Sequence, residues 1–113
     1  MQVIFETRNP EALQLRPLAE RKTRDVLRRL NWLVPRARVY LSDVNGPRGG
    51  IDKRCQVELL SDGNAPVVVT SIARDWRAAL YSALARAVRS LLHSVQRVRR
   101  VRREPRLLPA ERR

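Results

Sequence analysis

The chain has one cysteine, one histidine and no long apolar run among its 113 residues. A lone Cys55 cannot close an internal disulfide, which fits a reducing cytoplasm. With no second histidine and no clustered cysteines there is no ligand set for a metal, and no metal is expected. No apolar stretch approaches the roughly 18 residues that a membrane-spanning helix needs. The start, Met1-Gln2-Val3-Ile4-Phe5-Glu6, has no basic region leading a long apolar segment, so no secretory signal is expected. The parts of an active site are missing too. A nucleophilic Cys55 would need a partner base, and His93 falls on an outward helix face. Asp43 and Asp52 flank a glycine-rich turn without a plausible second carboxylate partner, so paired acid–base chemistry is unsupported. Gly49-Gly50 has neither Walker spacing nor a following helix. The chain reads as a non-enzyme with no cofactor and no small-molecule substrate.

The last absence is the most informative. From Trp76 to Arg103 there are eight arginines and no acidic residue. The whole chain carries a formal net charge of +13, and it is uneven: residues 74–113 hold twelve basic and three acidic groups. Such a field favours polyanions, whether RNA, DNA or an anionic membrane. All the basic residues except Lys22 and Lys53 are arginine, the side chain suited to bidentate phosphate contacts. A genome rich in G and C would give the same bias.

Hydrophobic periodicity supplies the scaffold. Gln2–Thr7 alternates as a short strand that Asn9-Pro10 ends. A helix follows, with Pro17 in its first turn. Leu15, Leu18, Ala19, Val26, Leu27 and Leu30 recur at helical spacing, and Arg21, Lys22, Arg24, Arg28 and Arg29 lie on or near the opposite face. Asp25 can pair with Arg21 or Arg29 one turn away. Pro35 closes this helix, with Trp32 and Trp76 read as packing anchors at helix ends rather than base-stacking platforms. Residues 36–44, 52–60 and 66–73 then form an antiparallel meander. Its first turn is the open Asn45–Gly50 segment, and its second is Ser61-Asp62-Gly63-Asn64. Tyr40 points away from the helices, open to aromatic stacking or a protein contact. Asp75 caps a second helix running to about Val101.

The prediction is an α+β fold of order β-α-β-β-β-α, a four-stranded sheet with two helices packed on one face. It forms a single domain over residues 1–101, with a basic, flexible tail at 102–113. On the last helix Arg86, Arg89, His93, Arg97 and Arg100 follow one another at intervals of three or four, a single stripe. Ala79, Leu80, Ala83, Leu84, Ala87, Val88, Leu91, Val95 and Val98 lie mostly away from it, free to cover the sheet. The two basic helix faces then look outward on one side, with a groove between them. His93 is either a phosphate or base contact within the stripe or an ordinary exposed histidine.

Three features carry a family resemblance: the element order, Ser42-Asp43-Val44-Asn45-Gly46 closing the second strand, and Asp75-Trp76-Arg77-Ala78-Ala79-Leu80 opening the last helix. Over roughly residues 1–100 the chain resembles the ribosome hibernation-promoting factors, also called ribosome-associated inhibitors or sigma-54 modulation proteins. Gly46 through Cys55 resembles one branch of that family. His93 stands where the family more often has lysine, and Tyr81 replaces a polar residue. The resemblance implies a stress-response translation factor, cytoplasmic and monomeric off the ribosome. Such a factor sits in the small-subunit channel for messenger and transfer RNA, contacts ribosomal RNA through its basic helices and silences idle ribosomes. It implies RNA contacts from Arg86, Arg89 and Arg97, and from Lys22 and Arg28.

Two other readings compete. A nonspecific DNA- or RNA-binding protein would share the salt dependence, although no helix-turn-helix is present. A membrane-surface helix is the other, but here the apolar face is needed to cover the sheet, so no membrane partner is expected.

Overall fold

Alternation in four segments gives four strands, and the register of those strands fixes which side chains share a face. The computed structural model describes residues 1–44, 52–61, 63 and 65–103, the last six of these as backbone only. The elements are β1 (Gln2–Thr7), α1 (Pro10–Leu13), α2 (Arg16–Val26), a 3-10 turn (Arg28–Leu30), β2 (Arg36–Asp43), β3 (Lys53–Leu60), β4 (Val67–Ala73) and α3 (Trp76–Arg103). The class is α+β, as the sequence predicts. The sheet order is β1-β2-β3-β4, with β1 parallel to β2 and the other two pairings antiparallel. The parallel pair requires a crossover, which α1 and α2 provide. The turn expected at Asn45–Gly50 and the tail beyond residue 103 lie outside the described residues.

The expected helix is α2, which ends at Val26 and gives way to the 3-10 turn Arg28–Leu30 rather than running on toward Pro35, and the short α1 precedes it. Pro17 sits in the first turn of α2, and Pro10 in that of α1. Pro17 has no N–H, and its ring would strike the carbonyl of Leu13, so a helix begun at Pro10 cannot continue through it. The Asn9-Pro10 pair therefore both ends β1 and starts a helical turn. Thr7 supports that corner: its Oγ1 donates to the Leu41 carbonyl at 2.8 Å and accepts the Asn9 N–H at 3.1 Å. Within α2 the buried Thr23 hydroxyl donates back to the Ala19 carbonyl at 2.6 Å, which satisfies it internally. Gly63 turns the chain between β3 and β4 at φ +76, a region that glycine adopts without strain.

The core lies on one face of the sheet. Phe5, Ala37, Val39, Leu41, Cys55, Val57 and Leu59 are buried there against Ala19 and Leu27, and against Ala79, Leu80, Ala83, Leu84, Ala87 and Leu91 of α3. Among the described residues no helix covers the other face, and Val68 and Ile72 are each 51% exposed there. Arg38 bridges Glu6 and Glu58 across three strands on that face, at 3.9 and 3.5 Å.

At the end of the sheet where α3 begins, register brings together what the sequence reading held apart. Asp43 pairs with Lys53 across β2 and β3. Lys53 Nζ lies 2.9 Å from Asp43 Oδ2 and 3.2 Å from Asp52 Oδ1, and 5.3 Å from the centre of the Trp76 ring. Asp43 and Asp52 thus meet on one ammonium group. The fully buried Asp52 carboxylate accepts no well-aligned hydrogen bond, so the 3.2 Å contact is an ion pair without hydrogen-bond geometry. The Asp43 hydrogen bond, against the opposing effect of desolvation, raises the Lys53 pKa.

Trp76 packs against the core, as expected of an anchor. Trp32 does not: it is 72% exposed. Its neighbours Leu30 and Leu33 pack on the core and Val34 is buried, so the closure is made without the indole.

Burial pushes the Cys55 thiol from 9.0 up to about 12. The folded chain therefore holds this proton more tightly than the unfolded chain. The resulting stability is complete below pH 9.0 and is lost as pH rises toward about 12. In urea unfolding across that window, wild type should lose stability relative to Cys55→Ala, by up to about 1.4 kcal/mol per pH unit. Parallel curves for the two proteins would rule out the thiol as the cause.

Candidate nucleic-acid interface

The candidate interface is built on α3, and its first turn sets the helix in place. Asp75 Oδ1 accepts the Ala78 N–H at 2.8 Å, the N-cap expected from the sequence. From there the helix runs back along β4, antiparallel to it. Ser82 Oγ donates to Ser71 Oγ at 3.0 Å, and Arg86 Nη1 donates to the Thr70 carbonyl at 2.6 Å. A helix rises about 1.5 Å per residue and a strand about 3.3 Å. The stretch of β4 from Ser71 back to Val67 is thus matched by roughly nine residues of helix. Among the described side chains, the last buried one on α3 lies where this ratio places it, at Leu91. The residues beyond, Leu92 to Arg103, continue for roughly 18 Å past the end of the sheet.

The apolar residues set the roll of α3, and with it the direction of the charge. Arg86, Arg89, His93 and Arg97 are all exposed. Arg86, Arg89 and His93 line one open concavity of about 180 Å³, with Ser90 as a further lining residue that the sequence does not single out. The backbone of Arg100 continues the helix, and its side chain lies outside the described residues. Arg86 differs from the others. Its guanidinium also lies 3.2 Å from Ser71 Oγ, so it is held on the outer edge of β4 rather than presented whole to a ligand. Its donation to an edge carbonyl covers part of a strand edge that would otherwise be free to pair.

The basic residues of the first helix divide by environment. Arg21 and Arg29 are exposed. Arg24 Nη1 donates to the Met1 carbonyl at 2.9 Å, beside the opposite edge of the sheet. Arg28 lies 3.7 Å from Asp25, so Asp25 takes the partner three residues on, rather than Arg21 or Arg29. At these exposures the pair adds little stability. Lys22 turns inward, its Nζ 5.0 Å from the centre of the Tyr81 ring, a cation–π contact that joins α2 to α3.

The Lys22–Tyr81 contact locates the inter-helix side of α3. Successive helix residues turn by about 100°, so the Arg86–Arg97 stripe is centred roughly 120° round the axis from Tyr81. The Arg86 and Ser82 bonds to β4 place that same flank beside the outer edge of the sheet. The stripe thus occupies the crest and outer flank of α3, while the flank toward α2 carries Tyr81 and the half-buried Val88. Sequence periodicity finds the stripe but not its direction of roll, which long-range contacts decide. Among the described side chains, the groove between the helices holds Lys22 and no member of the α3 stripe.

No protein-family model matches the chain, and no curated protein sequence matches it. Among solved structures its fold is similar to the crystal structure of the Thermus thermophilus Protein Y N-terminal domain, with a TM-score of 0.60. The identity is 24%, over 80% of this chain and 94% of that one. At this identity the likeness is one of fold.

The two kinds of arginine on α3 should separate in a stability measurement. Arg86→Ala removes a charge-assisted bond at a strand edge and should cost about 1 kcal/mol in urea unfolding. Arg89→Ala should leave stability unchanged within about 0.5 kcal/mol. Equal effects from the two would mean that Arg86 does not hold β4.

Proposed function

We propose that this chain is a ribosome hibernation factor that sets its two basic helices on small-subunit ribosomal RNA and silences idle ribosomes. The observation that carries the proposal is the one-signed flank of α3. Arg86, Arg89 and His93 share a concavity, Arg97 continues the line, and no acidic side chain occurs within the helix. A solvated helix with no ligand would ordinarily mix signs, because repulsion within a one-signed stripe costs stability. An A-form polyanion fits this surface by shape and backbone, since its major groove is too narrow for side chains to read. The fold shared with the Protein Y N-terminal domain supports the same reading, as does the resemblance of residues 1–100 to the hibernation factors.

On this reading Arg89, His93 and Arg97 make the principal α3 contacts and Arg100 extends them. Arg21, Arg28 and Arg29 contribute from the α2 side. Arg86 and Arg24, each tied to a backbone carbonyl near a sheet edge, add charge at fixed positions. Lys22 acts chiefly by holding the two helices together. The factor acts in the cytoplasm as a monomer, with the ribosome as its partner.

The test is co-sedimentation with small ribosomal subunits over a salt series. Wild type should travel with the subunits at low salt and dissociate as salt rises. Arg89→Glu combined with Arg97→Glu should weaken binding at least tenfold without loss of fold, and reduce the salt slope by roughly 0.7–0.9 per contact removed. This pair is preferable to one that includes Arg86, whose loss would also disturb β4. Protein remaining at the top of a low-salt gradient would sink the proposal. Equal affinity for duplex DNA in competition would reduce it to nonspecific nucleic-acid binding.

A further inference from the structure

The most exposed large apolar side chain among the described residues is Trp32, at 72%. It lies in a turn that is otherwise well anchored. Leu33 N–H donates to the Leu30 carbonyl at 2.9 Å and Val34 N–H to that of Asn31 at 3.2 Å. Leu30 and Leu33 pack on the core, and Val34 is fully buried. The turn thus fixes its backbone with three other apolar residues and directs the indole outward. Among the described residues, no cation or ring lies against that indole.

Its neighbours in sequence are basic. Residues 26–42 contain Arg28, Arg29, Arg36 and Arg38 and no acidic residue. Arg29 and Arg36 are exposed on either side of the turn, and the one acid close by in sequence, Asp25, is engaged with Arg28 at 3.7 Å. The turn leads into β2 at Arg36, which pairs with Gln2 and Leu60. That is the end of the sheet past which α3 projects. A flat aromatic face flanked by arginines is the chemistry that takes up an unstacked base while its phosphates are neutralised. Four arginines and no acid over residues 26–42 favour a polyanion over a neutral apolar partner.

We infer that Trp32 is a base-stacking site: it takes the face of an unpaired nucleobase in single-stranded RNA, with Arg29 and Arg36 on the adjoining phosphates. This rests on the RNA-binding reading above and adds to it a contact that engages a base rather than the backbone.

The experiment compares wild type, Trp32→Ala and Trp32→Phe against three probes at low salt. The probes are a short oligoadenosine, an abasic ribose-phosphate strand of equal length and charge, and small ribosomal subunits. Because Trp32 is exposed, both variants should fold as wild type does, which circular dichroism checks. Trp32→Ala should weaken oligoadenosine binding roughly five- to hundredfold and leave the abasic strand unaffected. Trp32→Phe should recover most of the loss. Oligoadenosine should also quench the fluorescence of wild type but not of Trp32→Ala, whose remaining Trp76 packs against the core.

Unchanged oligoadenosine affinity in Trp32→Ala overturns the inference while leaving the RNA-binding reading intact. Equal losses on both strands also overturn it, because stacking cannot act on a strand without bases. A loss confined to small subunits overturns it in favour of a protein contact. Wild type that binds none of the probes overturns this inference and the proposed function together.

Discussion

The fully buried row across β2 and β3 is the constraint from which the remaining geometry follows. Ala37, Val39 and Leu41 face the helices from one strand, and Cys55, Val57 and Leu59 from the next. Only a helix that presents a continuous apolar strip can cover them, and α3 does so with Ala79, Leu80, Ala83, Leu84, Ala87 and Leu91. The small residues let the helix lie close to the sheet, while the leucines supply buried area at about 25 cal/mol per Å². Once that strip is down, α3 cannot roll without exposing it. The directions of Arg86, Arg89 and Arg97 are therefore decided by apolar side chains packed on the sheet. The length mismatch between helix and strand has a similar result, since it leaves the last turns of α3 without a sheet beneath them.

Charge is partitioned around this core. Glu6 and Glu58 lie on the open face of the sheet, where Arg38 meets both. Asp43 and Asp52 are drawn onto Lys53 at one end, and Asp75 is used as a helix cap. Each is thus committed to a local partner away from the α3 stripe. The field along α3 is correspondingly one-signed, whereas Glu20 and Asp25 interrupt the basic residues of α2. It acts at a distance of about a Debye length, about 8 Å at physiological salt. Arg24 and Arg86 on the helices are held in another way, each donating to a backbone carbonyl near one of the two sheet edges.

Local patterns made most of this legible in the sequence. The four strands follow from alternation, and their boundaries move by one residue at most. The α3 stripe follows from intervals of three and four, and the Asp75 cap from its position before the apolar run. What escaped was decided by contacts distant in sequence or by competition between neighbours. Pro17 marks the first turn of α2 as expected, but the sequence does not announce the short α1 before it or the end of α2 at Val26. Trp32 reads as an anchor because tryptophan usually is one, but Leu30, Leu33 and Val34 already fill that role. Asp52 and Asp43 meet on Lys53 through strand register, which neither residue announces alone. The inter-helix groove was the natural site for two amphipathic helices side by side until the roll of α3 turned its stripe toward β4.

That roll also changes the shape of the candidate surface. Two helices whose charges faced each other would form a concave basic groove, suited to a single strand lying between them. With the α3 stripe on a crest and outer flank, and Arg21 and Arg29 exposed on the other side, the basic surface is convex and split. Helices packed together stand about 8–10 Å apart, so the two lines of charge lie further apart than the axes themselves. A convex, divided surface meets phosphates best when they approach from more than one side, as the walls of a cavity in a folded RNA would. The Lys22–Tyr81 contact ties the two ridges together, and under the proposed function it would set the spacing at which they face two such walls.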